Sequence, residues 1–506
     1  MRSYLIFHRL LLPILLLLVL IAACQPFTGP RVTPGTAPTS TATESTPTIQ
    51  PTLPVFTSTA QTSPAKGEET QTPLPNTSYS LTVVMDYNQH FLSVDENIRY
   101  VNHSADVLDE IMLMVEPANY QDDFKLNNIN WEDGTPIDVM EWVRNQVSIP
   151  LHQPLLPGEE IVFSLNYDLS LPSPTPSTET RPVPFGYTPR QANLVDWYPF
   201  VPPYITGRGW LAHQPGYFGE HLVYSLADFQ VDIQLHDERD DLIIAASAPA
   251  ETSAGWHHYR LNNARNFAWS VSPEYEVMRE KVGEVEVINY VFPVHKTAGE
   301  RVLQTTVEAL TLYGELYGTY PRSQLSVVEA DFLDGMEFDG LYFLSSGFYN
   351  LYQGEPGEYL VAIAAHETAH QWFYASVAND QALDPWLDEA ICTYNERIYY
   401  EHLYPEALDW WWAYRINYYE PKGWVDGSIY NPGGYRAYRD AIYLNGALFL
   451  EDLRQLVSDE SYFSFMKAYV ANYQGTIVTA NDFFDLLNQF TDVDITPLLN
   501  GYFEHR

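Results

Sequence analysis

Val361-Ala362-Ile363-Ala364-Ala365-His366-Glu367-Thr368-Ala369-His370 is the stretch whose reading decides the fold. Its first half is apolar and helix-compatible, and neither Gly nor Pro interrupts residues 358–374, so the composition predicts a helix here. In a helix a spacing of four sets two side chains on one face, about 6 Å apart along the axis. His366 and His370 can therefore aim imidazole nitrogens at one cation, which is a two-point clamp for a single Zn2+ per chain. Glu389, nineteen residues beyond His370, is the third candidate ligand. Two imidazoles and one carboxylate leave a fourth position open for water. Glu367, about 100° further round the helix than His366, faces that position and is the candidate general base.

The surroundings of the motif alternate strand-like and helical patterns. Residues 298–317 read as a helix. They lead through Pro321 into the strand-like Leu325-Ser326-Val327-Val328-Glu329-Ala330, then Gly335-Met336-Glu337-Phe338, then Leu341-Tyr342-Phe343-Leu344. That order predicts a mixed α/β lobe. Beyond the motif, Asp384 is expected to cap and Pro385 to open a helix that holds Glu389 on a second rigid element. The tail, 401–506, reads as helical, with Thr479 capping residues 483–490. Trp410-Trp411-Trp412 fits a core cluster better than a substrate groove.

Residues 78–282 carry a different pattern. Segments such as Ile161-Val162-Phe163-Ser164-Leu165-Asn166-Tyr167 and Phe229-Gln230-Val231-Asp232-Ile233-Gln234-Leu235 alternate apolar and polar positions, which predicts half-buried strands of a sandwich or saddle. No Gly-x-Ser-x-Gly elbow occurs, so a serine hydrolase loses its main support.

The chain has 506 residues, 46% of them apolar, enough to bury more than one core. Its formal charge of -39 argues against a nucleic-acid partner, because a polyanion would be repelled. Residues 25–77 are dense in Thr, Pro and Ser and poor in aliphatic residues, so they are expected to form a disordered linker. Arg2, His8 and Arg9 precede an apolar run that ends in Ile21-Ala22-Ala23-Cys24. This resembles a bacterial lipoprotein signal, 1–24, and implies acylation of Cys24 and a membrane-anchored, extracytoplasmic place in a bacterial cell envelope. Cys392 is the only other cysteine, so an acylated Cys24 would leave no partner for a disulfide.

Four blocks in order carry a second resemblance: Gly335-Met336-Glu337, His366-Glu367-Thr368-Ala369-His370-Gln371-Trp372-Phe373, Trp386-Leu387-Asp388-Glu389, and Tyr443-Leu444-Asn445-Gly446-Ala447. They resemble the gluzincin zinc metallopeptidases, the family of aminopeptidase N and the leukotriene hydrolase. The resemblance implies a multidomain α+β fold: a β-sandwich or saddle domain at 78–285, a thermolysin-like α/β catalytic domain at 286–400 and a helical part at 401–506. It assigns oxyanion stabilisation to Tyr443, recognition of a peptide's free α-amine to Glu337 within Gly335-Met336-Glu337, and a lesser substrate-side role to Tyr438. The expected partner is a peptide substrate, trimmed from its N-terminus. Phe338 departs from the pattern, for the family has asparagine there. A zinc endopeptidase or other hydrolase on the same site, and a non-catalytic binding or adhesion lipoprotein with a structural zinc, are the alternative readings.

Overall fold

In the computed structural model the described residues are 75–120, 123–173, 183–236 and 239–505. The expected signal, the acylation site Cys24 and nearly all of the expected linker lie outside them. Among the described residues no helix is long and apolar enough to cross a membrane.

The alternating segments of the first half form strands as expected. Glu160–Ser170 and Ala227–Leu235 bury every second side chain, the signature of a sheet with one face covered. They belong to a seven-stranded sheet ordered Ala250–Ser253, Trp256–Ala264, Ala227–Leu235, Thr77–Asp86, Phe91–Val101, Glu160–Ser170, Phe124–Trp131. Its neighbours along this sheet are antiparallel except Thr77–Asp86 and Ala227–Leu235, which run parallel. A three-stranded, a four-stranded and a two-stranded sheet complete the described β part.

A five-stranded mixed sheet follows, ordered Glu276–Val282, Val285–Val291, Gln324–Ala330, Leu341–Ser345, Gly335–Phe338. The division expected after 285 thus cuts one hairpin at the first residue of its second strand, Val285–Val291, and sheet partnership places Glu276–Val282 with the α/β lobe. The sheet is covered on both faces. Leu325, Val327, Tyr342 and Leu344 join the core of the helical half, while Val328, Ala330, Leu341 and Phe343 join that of the β part. Burial on both sides is why these strands read as continuous apolar runs. Gly335–Phe338 lies at the sheet edge, folded back on Leu341–Ser345 by the two-residue turn Asp339-Gly340. Gly340 has φ +78°, which such a turn requires.

The helix expected at 298–317 spans Lys296–Tyr317 and packs on both the sheet and the motif helix. The motif helix runs Tyr359–Ala369 and is buried from Leu360 onward. Its small residues Ala362, Ala364, Ala365 and Ala369 are fully buried, which lets neighbouring elements come close. The helix stops at His370, short of 374, because Trp372 turns away to donate its indole N–H to the Gly318 carbonyl at 2.8 Å.

A second difference concerns the cap. Asp384 makes no side-chain cap bond. Pro385–Leu387 form a single 3-10 turn, and the helix proper is Glu389–Leu403, capped by Asp388, whose Oδ1 accepts from the Glu389 N–H at 2.8 Å. The short aspartate competes for the nearest free amide and so resets the start by four residues. The tail is helical as read, and Thr479 with Asp482 makes a full capping box, though the helix is Ala480–Leu487 rather than 483–490.

Candidate metal centre

Three ligand atoms converge where the motif helix meets the Glu389 helix. His366 Nε2 lies 3.1 Å from His370 Nε2 and 3.2 Å from Glu389 Oε2, and His370 Nε2 lies 3.6 Å from Glu389 Oε2. All three residues are buried. Zinc held tetrahedrally at about 2.0–2.1 Å needs its ligand atoms roughly 3.3 Å apart, so this triangle is one face of such a tetrahedron. The donor set and its spacing fit zinc.

The outer nitrogens are fixed as well. His366 Nδ1 bonds Glu396 Oε1 at 3.0 Å and His370 Nδ1 bonds the Phe373 carbonyl at 3.1 Å, so each ring offers its Nε2 lone pair inward. Glu396 is wholly buried and accepts three more bonds, from Trp411 Nε1 at 2.9 Å and from Arg415 Nε and Nη2 at 2.8 Å each. Burial alone would raise the Glu396 carboxyl, but the Arg415 guanidinium and His366 outweigh it and hold it below the ordinary value. Glu389 behaves alike: burial is opposed by the two facing imidazoles, and the carboxylate stays anionic.

Sequence reasoning missed Glu396, Arg415 and the part played by Trp411. Glu396 stands seven residues, about two helical turns, after Glu389, a spacing that marks a shared face. Trp411 and Arg415 come from a π-helical turn, Trp411–Ile416. Of the three tryptophans Trp411 is fully buried, and its indole serves Glu396 rather than a groove.

Glu367 is buried beside the triangle. Its Oε2 has no hydrogen-bond partner. Burial first, then the Glu337 and Glu389 carboxylates, push its carboxyl well up from the ordinary value against the opposing pull of His370. The Glu367 carboxylate sits directly on Gly335: a Cβ there would lie 2.0 Å from Glu367 Oε1. That contact explains the glycine at this position. Glu337 on the same edge strand is 5% exposed, and its Oε1 accepts from Gln381 Nε2 at 3.1 Å. Gln381 also donates to Asp388 at 2.9 Å, which ties Glu337 to the cap of the Glu389 helix.

A cavity of about 50 Å³ joins these groups, lined by His366, Glu367, His370, Glu389, Glu337, Gly335, Met336, Tyr438 and Tyr443. The candidate ligands, Glu367, Tyr443, Tyr438 and Gly335-Met336-Glu337 therefore line one cavity, while Phe338 and Cys392 do not. Tyr443 lies in a second π-helical turn, Asp440–Asn445, and its ring stacks on His366 at 6.1 Å between centroids. Burial, then the Glu389 charge, raises its phenol well above the ordinary value, so it remains a donor. Tyr438 packs edge-on against Tyr443 and at a tilt against Phe218. Gly446 allows the approach of this segment, since a Cβ there would fall 2.4 Å from the Ala390 Cβ on the Glu389 helix.

Glu220, from the β part, lines the same cavity, and its carboxylate lies within 4.8 Å of ligand atoms of Glu337 and Glu389. No local pattern around Gly219-Glu220-His221 announces it, because the fold brings it from more than a hundred residues away. Cys392 stays outside the triangle. Its Sγ is 3.8 Å from the Phe373 carbonyl, and burial pushes its thiol up to about 12, so it packs as a neutral group.

A mixed α/β lobe that holds two histidines of one helix and a glutamate of the next around a fourth, open position defines a zinc metallopeptidase type of fold and site. Residues 301–502 match the Peptidase family M1 domain, and the chain carries that domain. Aminopeptidase N of Lactobacillus helveticus is 24% identical over 293 residues, 53% of this chain and 34% of the relative. A probable aminopeptidase 2 of Sulfurisphaera tokodaii is 22% identical over 45% of this chain and 31% of its own. The chain thus spans about a third of the length of these curated relatives. An M1 zinc metallopeptidase from Deinococcus radiodurans shares the fold with a TM-score of 0.61 at 18% identity, covering 86% of this chain and 95% of that one.

Proposed function

We propose that this protein is a zinc-dependent aminopeptidase that removes residues from the N-terminus of peptides. The observation that carries the reading is the ligand triangle of His366, His370 and Glu389 with the unpartnered Glu367 Oε2 beside it. A structural zinc site needs no such fourth group.

Zinc bound by that triangle would acidify a water and polarise the scissile carbonyl. Glu367 Oε2 takes the proton of the attacking water and returns it to the leaving amine nitrogen. The Tyr443 phenol donates to the oxygen that gains charge as the carbonyl carbon becomes tetrahedral. Glu396, itself clamped by Arg415 and Trp411, keeps the His366 ring in one orientation. At the other end Glu337, joined by Glu220, binds the substrate's α-ammonium, and two carboxylates in so buried a place favour a cation strongly. Gly335–Phe338, the last strand of its sheet, offers the backbone groups of its outer edge to an extended peptide. Together these fix the cut after the first residue.

Peptides with a free N-terminus should be hydrolysed and their N-acetylated forms spared. Equal cleavage of both would remove the α-amine from recognition and favour an endopeptidase. Glu367→Ala should keep one zinc and lose at least about two orders of magnitude in kcat/KM. Retained activity would end the general-base assignment. We also propose, from the lipobox-like Ile21-Ala22-Ala23-Cys24, that the enzyme is tethered by lipid on Cys24 to the outer face of a bacterial membrane.

A further inference from the structure

A second cavity of about 1160 Å³ opens beside the metal centre and shares Glu220, Met336 and Glu337 with it. Its other walls come from both halves of the fold. Six carboxylates line it, those of Glu116, Asp123, Asp196, Glu220, Asp331 and Glu337, and among the described residues no Lys or Arg lines it. Asp331 is already neutralised by Arg190, whose Nε donates to it at 3.0 Å. Glu116 receives two neutral amide donors, Asn119 at 2.9 Å and Asn145 at 2.8 Å, and meets His221 Nε2 at 3.1 Å. Asp196 accepts from the Tyr224 hydroxyl at 2.5 Å.

Met336, Phe338 and Tyr374 supply apolar wall to the same cavity. Phe338 is 3% exposed and packs edge-on against Phe343. A long side chain with an aliphatic stem and a cationic head matches such a wall ending in carboxylates. A carboxylate side chain would meet like charge at Asp196, Glu220 and Glu337. The chain's formal charge of -39 adds a field that draws cationic peptides in from a distance.

Resting on the aminopeptidase reading above, we propose that this chamber is the specificity pocket for a basic first residue, lysine or arginine, with Glu116 and Asp196 receiving its charge. The α-ammonium then sits at Glu337 and Glu220, and the stem runs along Met336 and Phe338.

The test uses the zinc-loaded full chain and fluorogenic amides of Arg, Lys, Leu and Glu with free amino groups. The Arg and Lys amides should exceed the Leu amide in kcat/KM by about tenfold or more, and the Glu amide should be the poorest. The Arg-to-Leu ratio should shrink as salt is raised from about 0.05 to about 0.5 M. Asp196→Asn is a clean probe: Asp196 has φ +50°, which asparagine tolerates, and an amide oxygen still accepts from Tyr224. That substitution, and Glu116→Gln, should each lower the ratio at least about fivefold with zinc retained. Equal turnover of Arg and Leu amides by the native enzyme, or a ratio unmoved in both variants, overturns the proposal. Failure to cut any amide with zinc bound overturns the aminopeptidase reading, and the proposal falls with it.

Discussion

Gly446→Ala isolates the contact that holds Tyr443 over the metal centre. A Cβ at 446 would lie 2.4 Å from the Ala390 Cβ, and both partners are carbons fixed to helix backbones. Carbon atoms are at ease about 3.5–4.0 Å apart, so the two helices must part by about 1 Å. Overpacking of this kind costs about 1–3 kcal/mol, of which about 1 kcal/mol is returned by the better helix propensity of alanine. The net loss of stability is therefore modest. The chemical cost is larger, because Ala390 adjoins Glu389 while Gly446 stands three residues after Tyr443, so the added methyl separates the two groups proposed as metal ligand and oxyanion donor. A shift of about 1 Å in a reacting geometry lowers rate about a hundredfold. Steady-state kinetics on an aminoacyl amide, urea unfolding and zinc analysis should show kcat reduced about a hundredfold, stability lowered by less than about 2 kcal/mol and one zinc retained. A variant with kcat within about threefold of the native enzyme would refute the view that helix approach sets the Tyr443 position.

Three further outcomes are expected. Glu396→Gln should weaken zinc binding about 10- to 100-fold, read by competition with a chelating dye, since an amide whose oxygen still accepts from His366 and Arg415 Nη2 turns its NH2 against the Trp411 Nε1 and Arg415 Nε donors. Unchanged affinity would reduce Glu396 to a packing role. Glu96, 1% exposed in the β part, has its carboxyl pushed well above the ordinary 4.5 by burial, partly offset by the Tyr167 hydroxyl. The folded state then holds a proton that the unfolded chain releases, so stability is full below about pH 4.5 and falls above it by about 1.4 kcal/mol per pH unit up to the folded value. Glu96→Gln should flatten that slope in urea melts between pH 5 and about pH 8; an identical slope would mean another group is responsible. Metabolic labelling with a fatty-acid analogue should depend on Cys24, and label that survives Cys24→Ser would remove the lipid tether.

What sequence reveals here is what local periodicity and spacing determine. The i, i+4 pair His366 and His370 forms a clamp only if the segment is helical, and Val361 to Ala365 make it so. Strands such as Glu160–Ser170 are legible because one face is wet and the pattern alternates. The π-helical turns at Trp411–Ile416 and Asp440–Asn445 are not legible, for nothing in their residue types distinguishes them from ordinary helix. They depend on packing against the Glu389 helix, which Arg415 and Gly446 make possible. Glu220 was hidden for another reason: a carboxylate in a loop of the β part acquires meaning only when the tertiary fold sets it against Glu337 and Glu389. The misplaced cap shows competition at short range, where Asp384 with Pro385 offered a plausible start and Asp388 supplied the nearer acceptor. Phe338, an anomaly in the sequence, lines the larger cavity as an apolar wall.

The most direct test of the central claim is zinc-edge X-ray absorption on the purified full chain. The account predicts one zinc with nitrogen and oxygen neighbours at about 2.0–2.1 Å, two of them imidazoles, and no sulfur. Glu389→Ala should remove one light-atom neighbour and leave both imidazoles. A sulfur neighbour at about 2.3 Å would bring Cys392 into the ligand set, and it would contradict the His366, His370 and Glu389 triangle on which the mechanism rests.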